Sequence, residues 1–351
     1  MDRSRLQEIA ANILFESKRL VCQWAAGVGK SGIVLRFLAM HPESNCLIVV
    51  PEHDNISNWK NEFGKFNVPY DNVTIICYAS LHKFANTDWD LLVLDEVPHI
   101  DTEKRTKMLR TITAEHVLAL GAVVDREEMD SLLSVYGSFK NWTISLERAI
   151  EYGLLPGPEI NIVHLTMPFT HVPEYERLQK KVTDAKNAYE KSANKYNEMR
   201  MLRAGNERKR FLGAMKEEAI RHLCDKFDKQ GKRYLCFCSS IKQAESIGGE
   251  RAYTSKSPKS MAHLKKFNDH EINALFVVGK LIEGQNLKDI ECGVIGQLGG
   301  TSRITVQELG RIMRSKNPII YVPIFDGTKD DSFLYTLTDN IPASCIKHIN
   351  F

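Results

Sequence analysis

Leu20-Val21-Cys22-Gln23-Trp24-Ala25-Ala26-Gly27-Val28-Gly29-Lys30-Ser31 runs from a strand-like segment through a glycine-bearing turn, and the apolar helical stretch Ile33 to Leu38 comes next. Strand, turn and helix in that order make a phosphate loop. Gly27 and Gly29 let the backbone N–H groups of the turn, with those of Ala26 and Val28, face inward around phosphates. Lys30 reaches the β and γ oxygens, and the Ser31 hydroxyl can ligate Mg2+ at a helix N-terminus that already favours negative charge. The expected ligands are therefore ATP and Mg2+. Trp24 stands where G-x-x-x-x-G-K-S has its first glycine. An ordinary strand-to-helix turn is the competing reading, and the flanking strand and helix favour the phosphate loop.

Outward from this stretch, short β-branched apolar runs alternate with segments of helical spacing, the pattern of a largely parallel α/β sheet. They fall into two sets. Leu20 to Trp24, Cys46 to Val50, Val73 to Tyr78, Leu91 to Leu94 and His116 to Leu120 form the first. Tyr234 to Ser239, Ala274 to Val278, Cys292 to Gly296 and Ile319 to Phe325 form the second. The cluster Gly153-Leu154-Leu155-Pro156-Gly157-Pro158 suits neither a helix nor a central strand. Two domains are expected, 1–153 and 154–351. Within the second, residues 171–231 carry no strand signal but space Tyr175, Leu178, Val182, Ala185, Tyr189, Ser192, Tyr196 and Met199 by threes and fours. This predicts an inserted helical hairpin, with its turn expected at Ala204-Gly205-Asn206.

Composition narrows the class. The 351 residues are 43% hydrophobic and 26% charged, ordinary for a globular protein, and the net charge of +3 does not by itself argue for a polyanion. No apolar run approaches the ~18 residues of a membrane span. Eight cysteines without a C-x-x-C pair read as reduced core residues. The expectation is a monomeric cytoplasmic protein, in a host cytoplasm if phage-encoded, with no membrane partner. Charge is nonetheless uneven, because 171–233 holds seventeen Lys and Arg against ten Asp and Glu. Arg200, Arg203, Arg208, Lys209 and Arg210 concentrate near the expected hairpin turn. They are candidates to touch nucleic-acid phosphates, while a solvated helix face or a docking site for a protein partner would account for the same charges.

Two further constellations carry chemistry. Leu91 to Leu94 deliver Asp95 and Glu96 to a strand end, where Asp95 can hold the metal through its water shell and Glu96 can deprotonate a water attacking the γ-phosphate. An acidic pair that only caps the next helix is the alternative. Gln307, Gly310, Arg311 and Arg314 form Q-x-x-G-R-x-x-R on a predicted helix, with both arginines on one face. They are candidate arginine fingers for the γ-phosphate.

With these elements in order, the chain resembles superfamily 2 helicases and translocases, closest to Swi/Snf-type and phage DNA helicases. The resemblance implies two tandem RecA-like α/β domains closing on ATP with nucleic acid bound across them, DNA ahead of RNA. Gln7 sits where the family often keeps an adenine-reading glutamine. Val49-Val50-Pro51 with Asn58-Trp59 and Glu62 is similar to motif Ia, which tilts toward DNA, although Trp59 also lies on the apolar face Ile56, Trp59, Phe63. Tyr234 to Ser240 resembles motif IV, and Val277 to Leu287, with Gly284, resembles motif V, which in the family touches both nucleic acid and the nucleotide site. Gln307 and Gly284 are thereby implied at the ATP site. Two departures stand out: Pro98 takes the place of the family's histidine or aspartate after Asp95-Glu96-Val97, and Leu118 to Val124 lack the hydroxyls of motif III. An ATP-switched clamp on nucleic acid is accordingly the alternative to a motor. A small-molecule kinase would leave Gln307, Arg311, Arg314 and the second sheet without a role.

Overall fold

Cys46–Val50 buries all five of its side chains, which a strand can do only inside a sheet covered on both faces. The computed structural model describes residues 2–97, 103–254, 260–278, 287, 289–298, 309–310, 312–313, 315–339 and 341–351. These fall into two compact units, one within Met1–Leu155 and the other within Pro156–Phe351.

The first unit runs α1 (Arg3–Ser17), β1 (Arg19–Trp24), α2 (Ser31–Met40), β2 (Cys46–Val50), α3 (His53–Phe66), β3 (Val73–Cys77), β4 (Thr87–Leu94), α4 (Glu103–Leu109), β5 (Ile112–Gly121), α5 (Arg126–Tyr136), β6 (Lys140–Ile144) and α6 (Leu146–Glu151). Its described strands pair wholly in parallel, in the order β3-β2-β4-β5-β1-β6. Every parallel neighbour requires a crossover, and the amphipathic helices supply them. The central strands β1, β2, β4 and β5 therefore read as apolar runs, while the edge strand β6, Lys-Asn-Trp-Thr-Ile, is largely exposed and shows no such run.

The second unit runs β7 (Glu159–Leu165), α7 (Val172–Lys191), α8 (Lys195–Met215), α9 (Glu217–Lys229), β8 (Tyr234–Cys238), α10 (Ile241–Gly248), β9 (Ala252–Tyr253), α11 (Ser260–Asn268), β10 (Ala274–Val278), β11 (Cys292–Ile295), β12 (Ile319–Phe325), α12 (Lys329–Thr338) and β13 (Ile346–Asn350). Its described strands are again all parallel, ordered β13-β7-β12-β11-β8-β10-β9. Ile220, Leu223 and Phe227 of α9 pack with Tyr234, Cys236, Val294 and Phe325 in one core. Hence α9 is a cover of this sheet and not the return arm of the hairpin.

The hairpin itself is α7 and α8, and its turn is Ser192 to Asn194, not Ala204-Gly205-Asn206. Cap chemistry decides the matter. The Asn194 side chain accepts the Asn197 N–H at 2.9 Å and starts α8, and Asn197 donates to the Ser192 carbonyl at 2.9 Å. Gly205 lies inside α8 with open space where a Cβ would be, so it costs the helix on the order of 1 kcal/mol without ending it. Nor is Arg208 a surface cation at that turn. It is 7% exposed and donates to Gln179 Oε1 at 2.6 Å across the hairpin, turned away from solvent. Arg200, Arg203 and Arg210 remain exposed, strung along α8 rather than gathered at a tip. Among the described residues no helix is long and apolar enough to cross a membrane.

Where α8 gives way to α9, Lys216 and Asp330 form an ion pair at 2.7 Å with both side chains fully buried. Gln297 bridges them, accepting from Lys216 at 3.1 Å and donating to Asp330 at 2.9 Å, and the Phe325 N–H donates to Asp330 at 3.1 Å. Burial pulls the Lys216 pKa below its ordinary value, and Asp330 opposes that shift. Removing one charge strands the other. Lys216→Met should cost about 3–5 kcal/mol in the urea unfolding transition of the second unit, and adding Asp330→Asn should recover part of it, since Asn can still accept from Phe325.

Candidate active site

A sheet covered on both faces leaves polar groups room only at its strand ends. In the first unit β1 and β4 end on the same side with β5 between them. Two strand spacings, about 10 Å, separate the loop leaving β1 from the loop leaving β4.

After β1 comes the glycine turn. Gly27 and Gly29 have φ of +88° and +97°, values that L side chains rarely adopt. Lys30 then opens α2 and donates its ammonium to the Trp24 carbonyl at 3.0 Å. Trp24 needs no glycine's freedom because it is still in β1, with its side chain fully buried against the edge of Trp142 at 5.3 Å between centroids. Gln7 is 6% exposed and donates to the Gly29 carbonyl at 2.8 Å, so α1 braces the turn from behind. The fit is close: a Cβ at Gly32 would lie 2.2 Å from Gln7 Nε2. In this structure the Gln7 amide donor is thus spent on the loop backbone, a contact distinct from the adenine reading that its family position implies.

After β4 come Asp95 and Glu96, both half-buried. The Asp95 N–H donates to the Val49 carbonyl at 2.9 Å, continuing the sheet by one bond, and Glu96 then turns the chain with φ of +50°. Tyr78 donates its hydroxyl to the Asp95 carbonyl at 3.0 Å. Trp59 Nε1 donates to Asp95 Oδ2 at 2.9 Å, and the Glu96 N–H donates to Asp95 Oδ1 at 3.1 Å. At 4% exposure Trp59 belongs to the core and to Asp95. Its place on the apolar face Ile56, Trp59, Phe63 accounts for that burial, so within the stretch similar to motif Ia the Trp59 side chain is turned to the core and not to a nucleic acid.

Burial, and then the neighbouring Glu96 charge, push the Asp95 carboxyl up to about 6, against the Trp59 hydrogen bond and the Lys30 charge. A hydroxyl and a carboxylate are hard oxygen donors of the kind Mg2+ takes, so Ser31 and Asp95 fit that ion. Within the turn the Val28 N–H donates to the Ala25 carbonyl at 3.2 Å. Leu118 to Val124, the end of β5 and the first residues after it, bring no hydroxyl; the Val124 N–H instead donates to the Gln23 side chain on β1 at 3.3 Å. Gln307, Arg311, Arg314, Gly284 and Pro98 lie outside the described residues.

No family model matches the chain. It is similar to a Halobacterium salinarum protein named DNA 3'-5' helicase Rad25, with 26% identity over 319 residues that cover 81% of this chain and 48% of that protein. It is also similar to the DNA 3'-5' translocase XPB2 of Sulfurisphaera tokodaii, with 22% identity over 349 residues, 89% of this chain and 78% of that one. The chain thus spans about half the length of the first relative and more than three quarters of the second. Among solved structures it resembles the helicase domain of Pyrococcus furiosus Hef, with a TM-score of 0.64 and 13% identity over 94% of this chain and 97% of that one. The fold is a tandem pair of RecA-like α/β units.

The raised Asp95 pKa has a signed consequence for stability. Because the folded pKa lies above the free value of 3.8, ionising Asp95 opposes folding; the favourable contribution is present below about pH 4 and lost as pH rises through about 6. Two units correspond to on the order of 3 kcal/mol. In EDTA, Asp95→Asn should therefore stabilise the protein more at pH 7 than at pH 4, as read from thermal melts at both values.

Proposed function

A superfamily 2 protein by fold, motif order and relatives, this chain is, we propose, an ATP-dependent helicase or translocase acting on DNA. The observation that carries the reading is the juxtaposition of the glycine turn after β1 and the acidic pair after β4 on one side of one sheet. In this reading the N–H groups of Ala26, Gly27 and Gly29 and the Lys30 ammonium hold the β- and γ-phosphates, while the Val28 N–H closes the turn on Ala25. Ser31, and Asp95 through water, hold Mg2+, which offsets phosphate charge when bound. Glu96 orients a water and takes its proton. Gln7 supports the loop on the side where adenine would bind. Gln307 and Gly284 serve nucleotide binding, and Arg311 and Arg314 are the cations that engage the γ-phosphate. DNA is supported by the names of the two relatives, one as a DNA helicase and one as a DNA translocase.

The hairpin is the proposed second nucleic-acid contact. Arg200, Arg203 and Arg210 are exposed on α8, and Tyr196 near its start is 75% exposed, an aromatic face beside cations. With Arg208 committed to Gln179, it is these three that are available for phosphates. Lys209, half-buried, is a lesser candidate, and the same face is open to a protein partner of the monomer.

Displacement of a third strand from duplex DNA separates motor from clamp. A translocase should release it with ATP and fail with a non-hydrolysable analogue, whereas DNA-stimulated hydrolysis without release would make the chain a clamp. Arg200, Arg203 and Arg210 replaced together by Ala should weaken DNA binding about equally across sequences and flatten the slope of log K against log salt by ~2 to 3. An unchanged slope would remove the hairpin from the DNA interface.

A further inference from the structure

Asp95 and Ser31 lie on different segments, yet a single helix reaches both. Trp59 and Glu62 are three residues apart on α3 and so share a face. Trp59 is one donor and no acceptor, and it gives that donor to Asp95 Oδ2 at 2.9 Å from a buried position. Since Asp95 Oδ1 is already held by the Glu96 N–H, the indole fixes the plane of the carboxylate. On the other side, Ser31 Oγ donates to Glu62 Oε2 at 3.5 Å. A hydroxyl that turns a lone pair to a cation must place its proton on some other acceptor, and Glu62 provides one. Lys65 pairs with the second oxygen of Glu62, which holds the acceptor in place.

We propose that Trp59 and Glu62 are positioning residues for magnesium, Trp59 acting through Asp95 and Glu62 through Ser31, so that α3 sets the affinity of the site for its divalent ion. The inference rests on the nucleotide reading above. Packing alone would also bury an indole, and Trp59 does lie against Phe63, at 6.3 Å between centroids. Packing gives no reason for its one donor to meet a carboxylate, nor for Glu62, one turn on, to meet the hydroxyl of the phosphate loop.

The test is binding of Mn2+ to the full chain saturated with ATP, monitored by the electron paramagnetic resonance of the free ion. Trp59→Phe keeps an aromatic ring and deletes the donor. It should weaken Mn2+ by about tenfold or more, the usual cost of losing an outer partner of a metal ligand, while ATP affinity in EDTA stays within about twofold. Glu62→Ala should weaken Mn2+ likewise, and Glu62→Gln, which retains an acceptor, should restore most of the loss. In an Asp95→Asn background, Trp59→Phe should add little, because its route to the ion is already gone. Wild-type Mn2+ affinity in Trp59→Phe would overturn the proposal. So would an undiminished loss in the Asp95→Asn background, which would mark Trp59 as packing only. Wild-type protein that binds no ATP would instead overturn the nucleotide reading, so the two failures are told apart by the first titration.

Discussion

Where a parallel sheet is buried on both faces it has no place for charge, and this constraint organises the fully buried stretches of the first unit. The exposed Asp88 of β4 and Glu115 of β5 lie ahead of those stretches. β2 is buried at every position, and β4 is fully buried over its last four residues before it reaches Asp95. Polar chemistry is displaced to the ends of the strands, where N–H groups, carboxylates and a lysine emerge together at the edge of the apolar core. The same burial that supports the sheet shifts the Asp95 carboxyl upward, so stability and site chemistry are coupled at one residue. Trp59 and Lys30 act against that shift, and a divalent ion would do so more strongly.

The bracing of the glycine turn arises from the same geometry. A turn with two residues at positive φ has few contacts of its own, and Gln7 supplies one from α1 by bonding to the Gly29 carbonyl. The approach is possible because Gly32, one residue into α2, has no side chain to hold α1 away. Gly27 and Gly29 are thus needed for the backbone path, and Gly32 for the close approach of the brace. Together they fix the path of the loop between β1 and α2.

Much of this was legible in the sequence because it is local. Strand, turn and helix around Lys30, and the apolar run ending at Asp95-Glu96, are contiguous signals whose periodicity survives without tertiary context. What sequence could not convey was partnership across the fold. Trp59 read as a packing residue or a DNA contact, and only the approach of α3 to β4 brings its indole to Asp95. β6 and β13 are edge strands with mostly exposed side chains, so no apolar run marked them. The hairpin turn was misplaced because Gly205-Asn206 is a familiar break signal, while the capping reach of Asn194 depends on where α8 begins. Arg208 looked like one more surface cation until the packing of α7 on α8 set Gln179 beside it.

The central claim is that the strand ends of the first sheet form an ATP-hydrolysing site in which Glu96 supplies the base. Glu96→Gln preserves shape and removes only the proton acceptor. Measured beside the wild type, with DNA present, ATP binding by equilibrium titration should stay within a few-fold, while steady-state turnover should fall by about 10²- to 10⁴-fold. Turnover at the wild-type rate in that variant would contradict the account.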